Sequence, residues 1–163
     1  MKYFSVDDIS RYVSEWFKQK LTTDMIPYLS QGGWEGWVQV ELAMFCGMLD
    51  FDIQREQKIY GDDRSRVDLL FNNLFFQPDN NQAHDDLKRI AVEIKCQSVY
   101  YDTSGFINAV NSDIGKLRTL DSALYTRCIL LFLIEKGSFN HFSQRGFFTL
   151  CGNENIVVLA KLI

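Results

Sequence analysis

The feature that most constrains this chain is an unbroken apolar run at residues 128–134, Cys-Ile-Leu-Leu-Phe-Leu-Ile. A short continuous apolar run is the pattern of a central strand, because both of its faces must be covered by other elements. Sheets that are covered on both faces occur in α/β proteins, where helices lie on either side. The run therefore predicts an α/β fold.

Helical patterns precede and follow the strand patterns. Ser5 has the spacing of an N-cap, and the apolar residues behind it predict a first helix that runs to about Lys20. A second helix carries an apolar face that includes Trp37 and Met48. A third, long helix follows the third strand pattern, and Ser104 is its expected N-cap.

The strand patterns are short, and polar or turn-forming residues separate them, with a loop predicted at residues 77–86. The six strand patterns lie at residues 53–60, 66–71, 90–96, 128–134, 147–150 and 156–162. We therefore expect the order α, α, β, β, β, α, β, β, with the last two patterns forming one or two strands.

The 163 residues and 19.0 kDa of the chain suit one domain. We expect a single unit over residues 1–163, with a helical extension at 1–30 and the core at 33–163. The four cysteines form no CxxC pair and are expected to be buried thiols. The N-terminus lacks the apolar core of a signal peptide, and no apolar run is long enough to span a bilayer, so we expect a cytoplasmic protein with no membrane contact.

Two carboxylates interrupt neighbouring apolar strand patterns. Asp68 lies in the second pattern and Glu93 in the third, and Lys95 follows Glu93 at the period of two that places both on one face of a strand. Buried carboxylates are costly unless they are paired or bind a cation, and oxygen ligands of this kind favour Mg²⁺ or Mn²⁺. The pattern therefore indicates a metal centre, although a simple ion pair between Asp68 and Lys95 is also compatible with it.

This arrangement resembles the PD-(D/E)XK nuclease superfamily, whose core is a helix, three strands, a helix and a fourth strand. Asp68 matches the first acid, and Glu93 and Lys95 match the second acid and the lysine. Glu41, on the helix before the first strand, matches a glutamate that family members often carry there. The resemblance covers roughly residues 33–135 and departs at Val67, which precedes Asp68 in place of a proline that is often absent in the family.

The resemblance implies a restriction-endonuclease-like core, with a mixed four- to five-stranded sheet flanked by helices in the order αβββαβ, and an extra N-terminal helix. It implies that Asp68, Glu93 and the carbonyl of Ile94 bind Mg²⁺ or Mn²⁺, with Glu41 assisting. It further implies that Lys95 positions the attacking water and stabilises developing charge.

Two more side chains are candidates for substrate binding. Gln97 lies two residues beyond Lys95 and resembles a polar residue that some family members place near the site. Lys116, on the third helix, could meet phosphates, although a solvated helix face explains it better.

Two functions from different classes follow. The first is an Mg²⁺-dependent endonuclease acting on nucleic acid, with DNA the expected substrate and a homodimer the expected assembly. The second is a nuclease-like fold that no longer cleaves and instead neutralises a toxin nuclease, as an immunity or antitoxin protein does. The net charge of −4 and pI of about 5.1 count against strong nonspecific binding of nucleic acid and suit capture of a basic partner.

Overall fold

A computed structural model describes residues 1–21, 29, 33–76 and 87–163 of the chain. The loop predicted at 77–86 lies outside the described residues. Among the described helices, none has both the length and the hydropathy needed to cross a membrane.

Four helices and six strands make up the described part of the chain. The helices are α1 (Val6–Lys20), α2 (Glu35–Met48), α3 (Thr103–Arg118) and α4 (Lys136–Ser143). The strands are β1 (Ile53–Gln57), β2 (Val67–Phe71), β3 (Arg89–Cys96), β4 (Tyr125–Leu133), β5 (Phe148–Gly152) and β6 (Val157–Leu162). A single 3₁₀ turn at Leu74–Phe76 follows β2.

The six strands form one mixed sheet in the order β1-β2-β3-β4-β6-β5. Only β3 and β4 run parallel, and α3 makes the crossover between them, as a parallel pair requires. The α/β class and the mixed sheet are confirmed. The expectation of four to five strands was too low, because β5 and β6 are two separate strands that pair with each other across a bulge at Thr149/Cys151.

The core lies in two layers, one on each face of the sheet, and β4 contributes to both. Cys128, Leu130 and Phe132 pack with α1 and α2, whereas the alternate residues of the strand pack with α3 and α4. This alternation confirms the interpretation of the apolar run as a central strand. Helix α1 belongs to the first layer, since Trp16 is fully buried against Trp37 and Phe132.

The helix ends follow local capping rules, with one correction. Ser5 forms the predicted capping box with Asp8 at the start of α1. The cap of α3 is Asp102, whose carboxylate accepts from the Gly105 N–H, and not Ser104, which lies inside the first turn. Helix α4 was not predicted, because its eight residues carry little apolar periodicity.

Candidate metal and catalytic site

The site begins where the ladder between β2 and β3 ends. The antiparallel register runs from Phe71↔Ile90 to Leu69↔Val92. One residue further along β2, Asp68 places its carboxylate Oδ2 2.7 Å from the backbone N–H of Ile94, which donates to it. The Ile94 N–H would have donated to a β2 carbonyl if the ladder had continued, and here it donates to the Asp68 side chain. The ends of the two strands therefore present carboxylates instead of backbone hydrogen bonds.

Asp68 and Glu93 form a buried carboxyl pair. Asp68 is 9% exposed and Glu93 is 2% exposed, and the two carboxyl groups are close enough for each to affect the ionisation of the other. Burial raises the pKa of Asp68 to about 6. Burial and the neighbouring charge of Asp68 raise the pKa of Glu93 to about 8. Without a cation, therefore, the pair holds a proton at neutral pH, since two adjacent buried carboxylates resist joint ionisation.

Tyr60 orients Glu93 from the segment that connects β1 to β2. Its hydroxyl donates a hydrogen bond to Oε1 of Glu93. Burial, followed by the charge of Glu93, raises the pKa of Tyr60 far above its ordinary value, so the hydroxyl stays protonated and remains a donor. Strand β1 ends at Gln57 and does not extend to Tyr60 as predicted, which leaves the tyrosine free to turn towards the sheet.

Lys95 lies between two helices. Its ammonium is 2.9 Å from Oε1 of Glu35 in α2 and 3.0 Å from Oδ2 of Asp113 in α3. Burial by itself would lower the pKa of Lys95, but the charges of Glu35 and Asp113 outweigh it and raise the pKa. Lys95 is consequently a cation at neutral pH. No ion pair within 4.0 Å joins Asp68 to Lys95, so the simple strand-to-strand pair is not the arrangement found.

A second lysine connects α3 to the carboxyl pair. The ammonium of Lys116 is 2.5 Å from Oδ1 of Asp113 and 3.9 Å from Oε1 of Glu93. Asp113 is 5% exposed at its side chain and therefore bridges both lysines inside the protein. We refer to these interacting groups as the carboxylate–lysine cluster. It comprises Glu35, Asp68, Glu93, Lys95, Asp113 and Lys116.

The cluster carries more negative than positive charge. Its four carboxyl groups face two lysines, so full ionisation would leave two uncompensated negative charges in a largely buried place. A proton on Glu93 removes one of them, and a divalent cation between Asp68 and Glu93 would remove both.

The donor chemistry fits Mg²⁺, which commonly takes one or two carboxylates and completes its octahedron with water and phosphate oxygens. Among the described residues, no three or more His, Cys, Asp or Glu side chains converge as a complete metal cage. The protein would thus supply two carboxylates and leave the remaining positions to water or substrate.

Glu41 is not part of the cluster. Its carboxylate lies 3.0 Å from the ammonium of Lys20 in α1, and that ion pair is half exposed. Glu35 of the same helix reaches the cluster instead. The two glutamates are six residues apart, which on an α-helix is about 9 Å along the axis and about 240° around it. One helix therefore cannot bring both to the same point, and the structure places Glu35, not Glu41, beside Lys95.

Gln97 has a structural position. Its amide nitrogen donates to Oε2 of Glu135 at 3.0 Å and to Oγ of Ser138 at 2.9 Å, and its amide oxygen accepts from the backbone N–H groups of Ile134 and Glu135. The side chain is fully buried and ties β3 to the start of α4. Among the described residues, the Gln97 side chain bonds only to groups at the start of α4, and it is not part of the cluster.

Three cluster or neighbouring residues were absent from the sequence prediction. Asp113 gave a usable signal, because it falls between the core positions Val110 and Leu117 on a buried helix face. Glu35 follows Trp34, whose indole N–H donates to the Gln97 carbonyl at 2.9 Å and so fixes the start of α2 beside the end of β3. Tyr60 was expected at the end of the first strand, but β1 ends at Gln57, so strand alternation could not indicate the direction of its side chain.

Comparison of the chain with models of known protein families, with characterised proteins and with solved structures finds no match in any of the three. The geometry of the carboxylate–lysine cluster is therefore the basis for assigning a function.

Proposed function

We propose that this protein is a metal-dependent nuclease that hydrolyses phosphodiester bonds in nucleic acid, and specifically a DNA endonuclease. The observation that carries the proposal is the buried Asp68–Glu93 pair with Lys95 on the same side of the sheet. The order α2-β1-β2-β3-α3-β4 also agrees with the αβββαβ core that the PD-(D/E)XK resemblance implies. Both observations support one chemistry, metal-assisted hydrolysis.

Asp68 and Glu93, with the carbonyl of Ile94, would hold Mg²⁺ or Mn²⁺. When bound, such an ion supplies an activated water and neutralises charge on the phosphate. The hydrogen bond from Ile94 N–H fixes Asp68, and the hydrogen bond from Tyr60 fixes Glu93. The two carboxylates are thereby held in place before any ligand arrives, which lowers the reorganisation needed for binding.

Lys95 contributes positive charge in this proposal. Because its pKa is raised, it does not act as a base at neutral pH. Its protonated ammonium can donate to a phosphate oxygen and stabilise the negative charge that develops during attack. Glu35 and Asp113 hold the ammonium on either side, and Asp113 also holds Lys116 near Glu93.

The second candidate function is that of a binding protein that neutralises a toxin nuclease. The net charge of −4 favours it, because an acidic surface attracts a basic partner. In that case the cluster would be a structural ion network inherited from a nuclease-like ancestor, without affinity for divalent ions.

Cleavage of supercoiled plasmid and of RNA, with Mg²⁺ or Mn²⁺ and with EDTA, tests the proposal. We expect metal-dependent cleavage by the wild type and a loss of at least about 100-fold in Asp68→Asn, a change that keeps the side-chain shape. Glu41→Gln is the matched control, because it also removes one carboxylate but lies outside the cluster, and we expect it to cleave like the wild type.

Calorimetry provides a second readout that does not depend on turnover. Since Glu93 holds a proton at neutral pH, Mg²⁺ binding should release about one proton per ion at about pH 7. That release is measurable as a dependence of the binding heat on the ionisation enthalpy of the buffer. Absence of cleavage of DNA and RNA, together with absence of divalent-ion binding, would refute the enzyme and leave the toxin-binding function.

A further inference from the structure

A cationic cleft lies on the far side of α3 from the carboxylate–lysine cluster. It has a volume of about 490 Å³ and is lined by α3, by α4 and the residues after it, and by β6. Arg118, Arg145 and Lys161 supply its charge, and Ile114, Phe142 and Phe147 supply apolar surface. We refer to it as the basic cleft.

The cations of the basic cleft have no carboxylate partner among the described residues, whereas five other cationic side chains do. Arg11, Lys20, Lys58, Lys95 and Lys116 each have a carboxylate within 4.0 Å. In the described part of the chain, no carboxylate lies within 4.0 Å of the charged groups of Arg118, Arg145 or Lys161. Lys161 instead donates to the Arg145 carbonyl at 2.6 Å, and Arg145 donates to the His141 carbonyl at 2.9 Å. Three positive charges therefore line one cleft with no carboxylate within 4.0 Å of them among the described residues, in a protein that has more acidic than basic residues.

Helix α3 contributes residues both to the carboxylate–lysine cluster and to the basic cleft. Asp113 and Lys116 face the cluster, whereas Ile114 and Arg118, four residues apart, face the cleft. A ligand held in the cleft would thus be attached to the same rigid helix that positions Lys95 through Asp113.

The carboxylate–lysine cluster has an excess of negative charge, so it repels a polyanion until a cation is bound. Affinity for nucleic acid must then come from positive charge outside the cluster. We propose that the basic cleft binds the phosphodiester backbone of the nucleic acid substrate, with the phosphates on Arg118, Arg145 and Lys161. This inference rests on the proposed nuclease function and identifies the surface that gives it affinity.

Binding of a labelled single-stranded DNA oligonucleotide, measured by fluorescence anisotropy in EDTA, separates binding from cleavage. The test variant is Arg118→Gln/Arg145→Gln. The matched control is Arg11→Gln/Lys18→Gln, which removes two exposed cations from α1 and lowers the net charge equally. Thermal unfolding of both variants checks that each is folded.

We expect the cleft variant to bind about tenfold more weakly, with the slope of log K against log salt reduced by about 1.4, which corresponds to two lost phosphate contacts. The control variant should bind like the wild type. Equal weakening in both variants, no weakening in the cleft variant, or no binding by the wild type at low salt would each overturn the assignment.

Two substrates distinguish a failure of this inference from a failure of the proposed function. If both are right, the cleft variant should still hydrolyse the small diester bis(p-nitrophenyl) phosphate with Mn²⁺ but should cleave plasmid about tenfold more slowly. Wild-type DNA binding that depends on the cleft, without cleavage of either substrate, would sink the nuclease and keep the cleft. If the cleft variant cleaved plasmid as fast as the wild type, the nuclease function would stand and the cleft assignment would fail.

Discussion

Replacement of Glu93 by glutamine should remove most of the pH dependence of stability between weakly acidic and weakly basic solution. Glutamine has the shape of a protonated glutamic acid, so it can accept from Tyr60 and donate towards Asp68 at every pH. In the wild type, the pKa of Glu93 in the folded protein is raised from 4.5 to about 8. The folded state therefore binds this proton more tightly than the unfolded state, and the stabilisation is present below about pH 4.5 and is lost as the pH rises through about 8.

The size of the effect follows from the linkage relation. Each pH unit inside that window lowers the free energy of unfolding by about 1.4 kcal/mol for one proton. Between about pH 5 and about pH 8.5, Glu93 should account for a loss of about 4 kcal/mol from the stability of the wild type in EDTA. Asp68 acts in the same direction at the acidic end, because its pKa is raised to about 6.

Urea unfolding followed by tryptophan fluorescence measures this loss, because Trp16 and Trp34 are buried in the core. We expect the free energy of unfolding of Glu93→Gln, minus that of the wild type, to rise by about 4 kcal/mol over the window. Glu41→Gln is the control and should stay parallel to the wild type, since Glu41 lies in the half-exposed pair with Lys20.

Divalent ions give the same experiment a second arm. Mg²⁺ should restore stability to the wild type at about pH 8.5, where both carboxylates are ionised and can receive it, and should have little effect on Glu93→Gln. Parallel pH profiles of wild type and Glu93→Gln in EDTA would refute the reasoning, because they would show that Glu93 titrates as an ordinary carboxyl group.

Three further predictions concern internal contacts. Gln97→Leu should lower the free energy of unfolding by about 3 kcal/mol in urea, because it leaves the Ser138 hydroxyl and two backbone N–H groups without their partner. Asn72→Ala should cost about 2 kcal/mol and speed hydrogen exchange at Phe4, whose N–H and carbonyl both bond to the Asn72 amide. A thiol reagent should modify the buried Cys46 and Cys128 only on unfolding, since burial raises the pKa of each to about 12.

Much of the fold could be predicted because its signals are local. The apolar run in β4 needs no knowledge of distant residues to be read as a central strand, and the capping box at Ser5 is complete within four residues. The proximity of Asp68 and Glu93 could be predicted as well, because β2 and β3 follow each other in the chain and pair antiparallel. The polar residues that interrupt the two apolar strands therefore lie beside each other.

The partners of the cluster could not be predicted in the same way. Glu35 is 60 residues from Lys95 in sequence, and the two meet only because Trp34 bonds to the end of β3. Glu41 and Glu35 lie on the same helix before the first strand, so sequence order does not distinguish them. Only their rotational positions around the axis of α2 decide which one reaches Lys95. That position depends on which residues of the helix face the sheet, namely Val38, Leu42 and Cys46.

The balance of charge in the cluster favours a site over a structural ion network. Burying ion pairs is costly, and well-packed apolar residues of similar volume are often at least as stabilising. A purely structural network would also be expected to match its charges, whereas four carboxyl groups here meet two lysines and need a proton on Glu93 at neutral pH. An arrangement that lowers stability as the pH rises, and that a divalent cation would neutralise, is the arrangement expected of residues that serve ligand binding.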